Sequence, residues 1–431
     1  MARRAPSATA VAAVDAANFT LERGQPNVVT VVGLLAPGGF VDREGVPDAD
    51  RLRAALAGRV SELEALCRRP VQRDREWRWV AASPELARHV RVFDRPARRG
   101  SAGASRLEAA CAAAVMWPLD RERPLWELLL VPAAQGPNCG LLFRVHHAVA
   151  DGLLVVDLME ALSDGGAGSR ETANDVSRLG AAIDRTAAPQ PSRPHRNVRT
   201  IVAETAAIFR RSVRSRVLLG PLGASRDIAL FEVPLGRLHA GAASRGATVN
   251  DAFLTAFGQG IRALLADAGE SLPETVPISC PVRLPREEGQ GNATGVMLAP
   301  VPVAEADVME ALAQVARTTR SEKERARAAG TFEWTSGPRM ASLLMRFART
   351  QRAVGAIASD VPGPRRALRF GGAELVHAWP LSLLSANVRV GALCVSYGET
   401  LAVSIQTDAE HLPPARVVAS AMEAALRAIA E

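Results

Sequence analysis

Two adjacent histidines, His146 and His147, open a seven-residue stretch that ends in Asp151 and Gly152. A neutral imidazole accepts a proton from a hydroxyl near neutral pH and can pass it on, which is the chemistry needed for an alcohol to attack an acyl carbonyl. A single histidine in apolar surroundings is more often a core residue with a satisfied hydrogen bond. Because the chain has only 7 histidines in 431 residues, the pair with a following aspartate is a specific signal.

The flanking residues place this stretch where a strand ends and a helix begins. Residues 141–145 have the composition of a buried strand, and residues 153–159 carry apolar side chains at helical spacing. Neighbouring side chains of a strand point to opposite faces, so the two histidines cannot share one role. We expect Asp151 to order the turn by hydrogen bonds or an ion pair, and Gly152 to allow backbone geometry that a side chain would hinder.

The stretch resembles the HHxxxDG signature of acyl-CoA-dependent acyltransferases related to chloramphenicol acetyltransferase and peptide-synthetase condensation domains. Within that superfamily, the chain is similar to the bacterial wax ester synthase/diacylglycerol acyltransferases. Residues 118–127 resemble PLDxxRPLWE, Asn250 and Asp251 resemble an ND motif, and residues 359–364 resemble SNVPGP, with Asp360 where the family often has Asn. The similarity covers nearly the whole chain, and the combination is more specific than any one motif.

The resemblance implies a role for each matching residue. His147 would be the general base, and Asp151 would pair with an arginine from the other half of the chain. The family strand usually carries this arginine a few residues after Pro-Val, where this chain has Pro285, so Arg283 and Arg286 both stay open. The other positions that would bind substrate or hold the structure are Pro124, Leu125, Trp126, Glu127, Asn250, Asp251, Arg283, Arg286 and Asn292.

Three of these residues have alternative roles. For Trp126, a place in the core is favoured over contact with substrate. Asn250 and Asp251 either orient substrate or open a helix, since both are good capping residues.

Length and patterning predict the domain organisation. A chain of 431 residues suits two domains of about two hundred residues each. Glycines, prolines and polar residues mark a linker. We therefore expect an N-terminal acyltransferase domain over 1–163, a linker over 164–199 and a C-terminal acyltransferase-like domain over 200–431. The expected fold class is α/β (α+β), and the resemblance implies two chloramphenicol-acetyltransferase-like domains facing each other across a substrate tunnel.

Hydrophobic periodicity predicts the individual elements. Strands are predicted over 28–35, 77–80, 125–131, 141–145, 228–233, 276–284, 296–303, 388–397 and 400–407. Helices are predicted from Asp48, over 101–116, 201–219, 248–266 and 308–329, and after Pro413-Pro414. Residues 132–140 are predicted to form a loop between two strands.

The composition of the chain bears on which cofactors it binds and where in the cell it works. The five cysteines contain no CxxC pair, so neither a disulfide framework nor a metal site is expected, and no tightly bound cofactor is implied. No apolar run reaches the roughly 18 residues that a spanning helix needs, and no signal peptide is apparent, which predicts a cytoplasmic protein. The net charge of +7 comes almost entirely from arginine, without the interleaved aromatics of a nucleic-acid surface. For the basic segment 201–219, two interpretations are equally favoured: a helix that lies on a membrane or lipid inclusion, and a helix docked on the protein with a solvated face.

The expected reaction is transfer of a fatty acyl group from acyl-CoA, as co-substrate, to a diacylglycerol or long-chain alcohol. One alternative is the same chemistry on a secondary-metabolite hydroxyl or amine, with a carrier-protein donor. Others are a catalytically silent lipid-binding relative and an electrostatic binder of membranes or nucleic acid. Acyl-chain length and oligomeric state are not predicted.

Overall fold

Helices are interspersed with strands along the chain. The structure is a computed structural model. It describes residues 8–22, 26–74, 76–93, 104–166, 213–283, 294–329, 348–364 and 366–431. The helices are α1 (Ala13–Leu21), α2 (Ala49–Ser61), α3 (Leu86–His89), α4 (Arg106–Ala114), α5 (Gly152–Leu162), α6 (Leu235–Ala243), α7 (Val249–Asp267), α8 (Val308–Ala329) and α9 (Ala415–Ala430). The strands are β1 (Thr9–Ala10), β2 (Val28–Leu35), β3 (Arg68–Arg73), β4 (Glu76–Ala81), β5 (Val90–Val92), β6 (Trp126–Gln135), β7 (Asn138–His146), β8 (Arg226–Pro234), β9 (Thr275–Arg283), β10 (Thr294–Pro302), β11 (Ala356–Val361), β12 (Arg369–Phe370), β13 (Ala373–Leu381), β14 (Val390–Tyr397) and β15 (Thr400–Asp408). The expected mixed α/β class is confirmed.

The described strands form two six-stranded sheets and one three-stranded sheet. The first large sheet has the order β12-β13-β2-β7-β6-β5, the second has β10-β9-β11-β14-β15-β8, and the small sheet has β1-β4-β3. In the first sheet β7 pairs antiparallel with β2 on one side and with β6 on the other. The end of β7, which carries the histidine pair, is therefore held from both sides.

The first large sheet is built from both halves of the chain. Its strands β12 and β13 come from residues 369–381, and β13 pairs antiparallel with β2. The hydroxyl of Tyr397, on the second sheet, donates a hydrogen bond to the Leu375 carbonyl at 2.8 Å and accepts one from the Leu368 N–H at 3.0 Å. The predicted boundary at 164–199 stays a prediction, because most of those residues lie outside the described residues.

A shared core joins the two large sheets. An apolar cluster includes Val32 of the first sheet and Ile228 of the second. Beside it, the carboxylate of Glu108 on α4 accepts a hydrogen bond from the Leu230 N–H at 3.0 Å and one from the Arg416 guanidinium at 3.0 Å. Glu108 is 4% exposed, whereas the Arg416 side chain is 54% exposed, so the carboxylate end of this polar link between the halves is shielded from water and the guanidinium end is not.

Most predicted elements are confirmed, several with close bounds. β2 spans the predicted residues 28–35, and α8 spans the predicted 308–329. The helix predicted from Thr248 is α7, and reciprocal hydrogen bonds between Thr248 and Asp251 close its first turn as a capping box. Gly398, with φ of 56°, lies in the turn of the predicted β14-β15 hairpin.

The loop predicted over residues 132–140 is wrong. β6 continues to Gln135 and β7 begins at Asn138, so only two residues connect them. The register shifts between Val131 and Gln135, and Pro132 lies in this irregular part of the ladder, where its missing N–H is tolerated.

The helix predicted over 201–219 is wrong at its described end. Residues 216–218 form a turn, and Leu219 makes a bridge to Val388. Val213 and Leu218 are buried in the core of the second half. Tertiary contacts override local helix propensity here. The earlier part of the segment lies outside the described residues.

Candidate active site

The turn after β7 presents His147. The His147 N–H donates to the Asn27 carbonyl at 2.9 Å, and the Val149 N–H donates to the His146 carbonyl at 2.8 Å. α5 then begins at Gly152. The predicted position of the histidine pair, between a strand and a helix, is confirmed.

The His147 side chain is suited to accept a proton. It is half-buried, and burial lowers its pKa, while the charge of Asp151 acts in the opposite direction. A hydrogen bond between the His147 ring and the backbone of the same residue also opposes the effect of burial, and this contact orients the imidazole. Since the net shift is downward, the ring is neutral at neutral pH, which is the form that a general base needs.

The His146 side chain has different surroundings. It is 1% exposed and stacks on Phe19 with ring centroids 4.9 Å apart. Its Nδ1 accepts a hydrogen bond from the Ala148 N–H at 2.9 Å, and its Nε2 lies 3.3 Å from Glu22 Oε1. Because Nδ1 accepts, the neutral ring carries its proton on Nε2, facing the carboxylate.

Glu22, which follows α1, is an ionised carboxylate in this site. Arg121 donates to Glu22 Oε2 and, at 3.2 Å, to the Phe19 carbonyl. Burial raises the pKa of Glu22, but the contacts with His146 and Arg121 outweigh it and lower the pKa to about 2. Sequence reasoning missed Glu22, since no local pattern connects it to residues about a hundred positions away.

Asp151 orders the start of α5. Its Oδ1 accepts hydrogen bonds from the Leu153 N–H at 3.1 Å and the Leu154 N–H at 3.0 Å. This is an N-cap contact, which confirms that Asp151 orders the turn by hydrogen bonds. The pairing of Asp151 with an arginine stays a prediction: Arg286 lies outside the described residues, and only the backbone of Arg283, at the end of β9, is described.

The expectation for Gly152 is wrong. Gly152 does not adopt a positive φ, and a Cβ there would meet its nearest atom, Val361 Cγ2, at 3.5 Å, an ordinary van der Waals distance. The contact places residues 359–364 beside the start of α5. Within that stretch Gly363 does need to be a glycine, because a Cβ would overlap the carbonyl oxygen of Ser396.

Three residues of the PLDRERPLWE stretch support β7 and the core. Pro124 is buried, and its carbonyl accepts from the Trp126 N–H at 2.9 Å. The Leu125 carbonyl accepts from the His146 N–H at 3.0 Å. Trp126 is 2% exposed, and its Nε1 donates to the Leu66 carbonyl at 3.0 Å. The favoured core placement of Trp126 is therefore correct.

Glu127 forms a buried ion pair. It binds Arg144 of β7, which is 0% exposed, and Arg91 Nη2 at 2.9 Å. Arg144 also donates to the Trp117 carbonyl. Burial lowers the pKa of Arg144, and Glu127 opposes that shift. Glu127 thus compensates the buried positive charge of Arg144, two residues before His146.

Asp251 opens a helix and fastens it to a neighbour. Besides its capping contacts with Thr248, its Oδ1 accepts a hydrogen bond from the Thr319 hydroxyl at 2.6 Å, which joins α7 to α8. Asn250 is half-buried in the first turn of α7, and Asn292 lies outside the described residues. Asn250 and Asp251 were expected either to orient substrate or to open a helix. The structure shows the helix-opening role for Asp251.

Two general features of the described residues bear on cofactors and location. No group of three or more His, Cys, Asp or Glu side chains there is arranged to hold a metal ion. None of the helices in that part of the chain has the length and apolar character that crossing a bilayer requires.

Solved structures of an acyltransferase and of a condensation domain share this fold. The wax ester synthase/diacylglycerol acyltransferase from Marinobacter aquaeolei VT8 superposes with a TM-score of 0.66 at 22% identity, covering 98% of each chain. The first condensation domain of the calcium-dependent antibiotic synthetase gives 0.62 at 15% identity, covering 99% of this chain and 96% of that one. These likenesses confirm the expected two-domain fold.

Sequence comparisons identify the family. A protein of Mycobacterium tuberculosis (strain ATCC 25618 / H37Rv) named "Probable diacylglycerol O-acyltransferase tgs1" is 27% identical over 335 residues, covering 72% of each chain. The profile of the wax ester synthase/diacylglycerol acyltransferase catalytic domain matches residues 11–253, and that of the WS/DGAT C-terminal domain matches 290–430. The chain therefore belongs to the wax ester synthase/diacylglycerol acyltransferase family and is an acyltransferase.

Proposed function

We propose that His147 is the general base in the transfer of a fatty acyl group from acyl-CoA to the hydroxyl of a diacylglycerol or long-chain alcohol. The observation that carries this proposal is the half-buried His147 imidazole, whose pKa is lowered by burial, at the turn between β7 and α5. The family acts on acyl-CoA and on diacylglycerol or alcohol substrates.

The proposed reaction balances without a covalent enzyme intermediate. His147 accepts the hydroxyl proton as the oxygen bonds to the thioester carbonyl carbon. The tetrahedral intermediate then collapses, the carbon–sulfur bond breaks, and the imidazolium returns the proton to the departing thiolate. The products are the ester and coenzyme A. Asp151 supports the base by capping α5 and by raising the pKa of His147 with its charge.

His147→Ala tests the proposal. We expect transfer from labelled acyl-CoA to a panel of alcohols and acylglycerols to fall about a hundredfold or more, because the proton acceptor is lost. His239→Ala is the matched control, since His239 is exposed on α6 and should turn over like the wild type. A folded His147→Ala protein with near wild-type turnover would refute the mechanism, and the ester formed identifies the acceptor.

We further propose that the protein works in the cytoplasm and contacts membranes or lipid inclusions peripherally. Its lipid acceptors are poorly soluble in water, so the site must reach them at a surface. Arg214 and Arg216 are exposed at the described end of the basic segment. Exposed arginines favour contact with an anionic lipid surface by about 1 kcal/mol each.

A further inference from the structure

The residues on either side of His147 determine the conformation of the turn that carries it. The Ala148 N–H donates to His146 Nδ1 at 2.9 Å, and the Val149 N–H donates to the His146 carbonyl at 2.8 Å. The two residues that follow His147 are therefore both fastened to His146. The contact from Ala148 depends on the His146 ring, whereas the contact from Val149 depends on the His146 backbone.

The hydrogen bond from Ala148 requires one tautomer of His146. With the proton on Nδ1, two donors would face each other and the turn would have to move. With the proton on Nε2, the ring accepts from Ala148 and places the positive end of its N–H dipole near Glu22 Oε1, with Nε2 and Oε1 3.3 Å apart. This contact is electrostatic, since Nε2 has no hydrogen-bond partner among the described residues. His146 is 1% exposed and stacks on Phe19, so bulk water cannot take the place of that carboxylate beside Nε2.

Arg121 holds Glu22 in this position. It binds the second carboxylate oxygen of Glu22 and the Phe19 carbonyl, and its guanidinium lies over the Phe19 and Trp77 rings, 5.3 and 5.4 Å from their centroids. Glu22 is 11% exposed at its side chain and stays ionised, because its pKa is about 2. The contact thus connects the PLDRERPLWE stretch, through Glu22, to the histidine pair.

We propose that Glu22 is a positioning residue for acyl transfer: its carboxylate fixes the tautomer of His146, and His146 fixes the turn that carries His147. The kinetic part rests on the proposed function of His147. Glu22 touches neither substrate nor reacting atoms in this scheme, so its removal should change the rate of the chemical step more than the binding of acyl-CoA.

The kinetic test compares Glu22→Met, which fills the same space without an acceptor, with Glu22→Gln, which keeps one. Per folded protein, we expect Glu22→Met to lower kcat by about tenfold to a hundredfold with KM for acyl-CoA nearly unchanged, as for a misplaced catalytic group. Glu22→Gln should recover most of kcat. Glu122→Met is the matched control, because Glu122 also pairs with an arginine, Arg69, but its side chain is 83% exposed. A Glu22→Met enzyme with wild-type kcat would overturn the proposal.

A second measurement separates this inference from the proposed function. The ring nitrogen chemical shifts of ¹⁵N-histidine-labelled protein report the His146 tautomer, with the signal assigned by its loss in His146→Asn. We expect a protonated Nε2 in the wild type and in Glu22→Gln, and a mixture or the other tautomer in Glu22→Met. A wild-type ring protonated on Nδ1, or an unchanged tautomer in Glu22→Met, would overturn the inference, whether or not the protein transfers acyl groups.

Discussion

The ion pair between Glu127 and Arg144 gives a sharp test of what the PLDRERPLWE stretch does. Arg144 is 0% exposed, and Glu127 is 9% exposed. Glu127→Ala would leave the guanidinium in the sheet with the Trp117 carbonyl as its remaining acceptor among the described residues. Removing one member of a buried pair typically costs about 3–5 kcal/mol. Against a total stability of about 5–15 kcal/mol, this loss would remove between about a fifth and the whole of the free energy of unfolding.

Urea unfolding measures this loss as a lower midpoint at an unchanged slope. Replacing both partners, Glu127→Leu with Arg144→Met, should recover most of the stability, since apolar residues of similar volume replace a buried pair at little cost. Glu122→Ala, at an exposed pair, should cost about 0–1 kcal/mol. A loss of less than about 1 kcal/mol in Glu127→Ala would show that Arg144 is hydrated and refute the reasoning. A fully stable variant with a raised KM would instead make Glu127 a substrate contact.

The remaining predictions concern Asp151 and the pH profile of His147. Because burial lowers the pKa of His147, the acidic limb of the kcat/KM profile, where the base becomes protonated, should lie at lower pH than for an ordinary histidine. Asp151→Asn removes the charge that raises this pKa, so its acidic limb should lie at still lower pH; a limb at higher pH than in the wild type would contradict the assignment. Asn also caps helices, whereas Asp151→Ala should lose about a further 1 kcal/mol in urea unfolding relative to the Asn variant. Equal stability of the two variants would show that the cap contributes nothing. The difference in the free energy of unfolding between the wild type and Asp151→Asn measures what the charge of Asp151 contributes to stability.

Local patterns were sufficient wherever neighbours in sequence make the decisive contacts. The strand, turn and helix around His147 follow from an apolar run, a capping residue and helical spacing. Thr248 and Asp251 likewise form their capping box within one turn. At such positions the chemistry of the side chain and its spacing determine the structure directly.

Contacts between distant segments could not be predicted in this way. β13 pairs with β2 across more than three hundred residues, and nothing in its sequence indicates which sheet it joins. Residues 213–219 have a helical pattern but pack into a core instead. Glu22 received no role from the sequence, because its partners His146 and Arg121 are brought to it only by the fold.

The geometry also explains the spacing of the histidine and aspartate residues. The three residues between His147 and Asp151 are buried and form the turn that His146 fastens by its ring and its carbonyl. Asp151 comes next because its side chain must reach the first N–H groups of α5 from the position before Gly152. One residue more or fewer would move the aspartate off the helix end and leave those donors unsatisfied. His146 and Asp151 thus shape the turn, and the His147 ring, outside these contacts, stays available for the proton transfer.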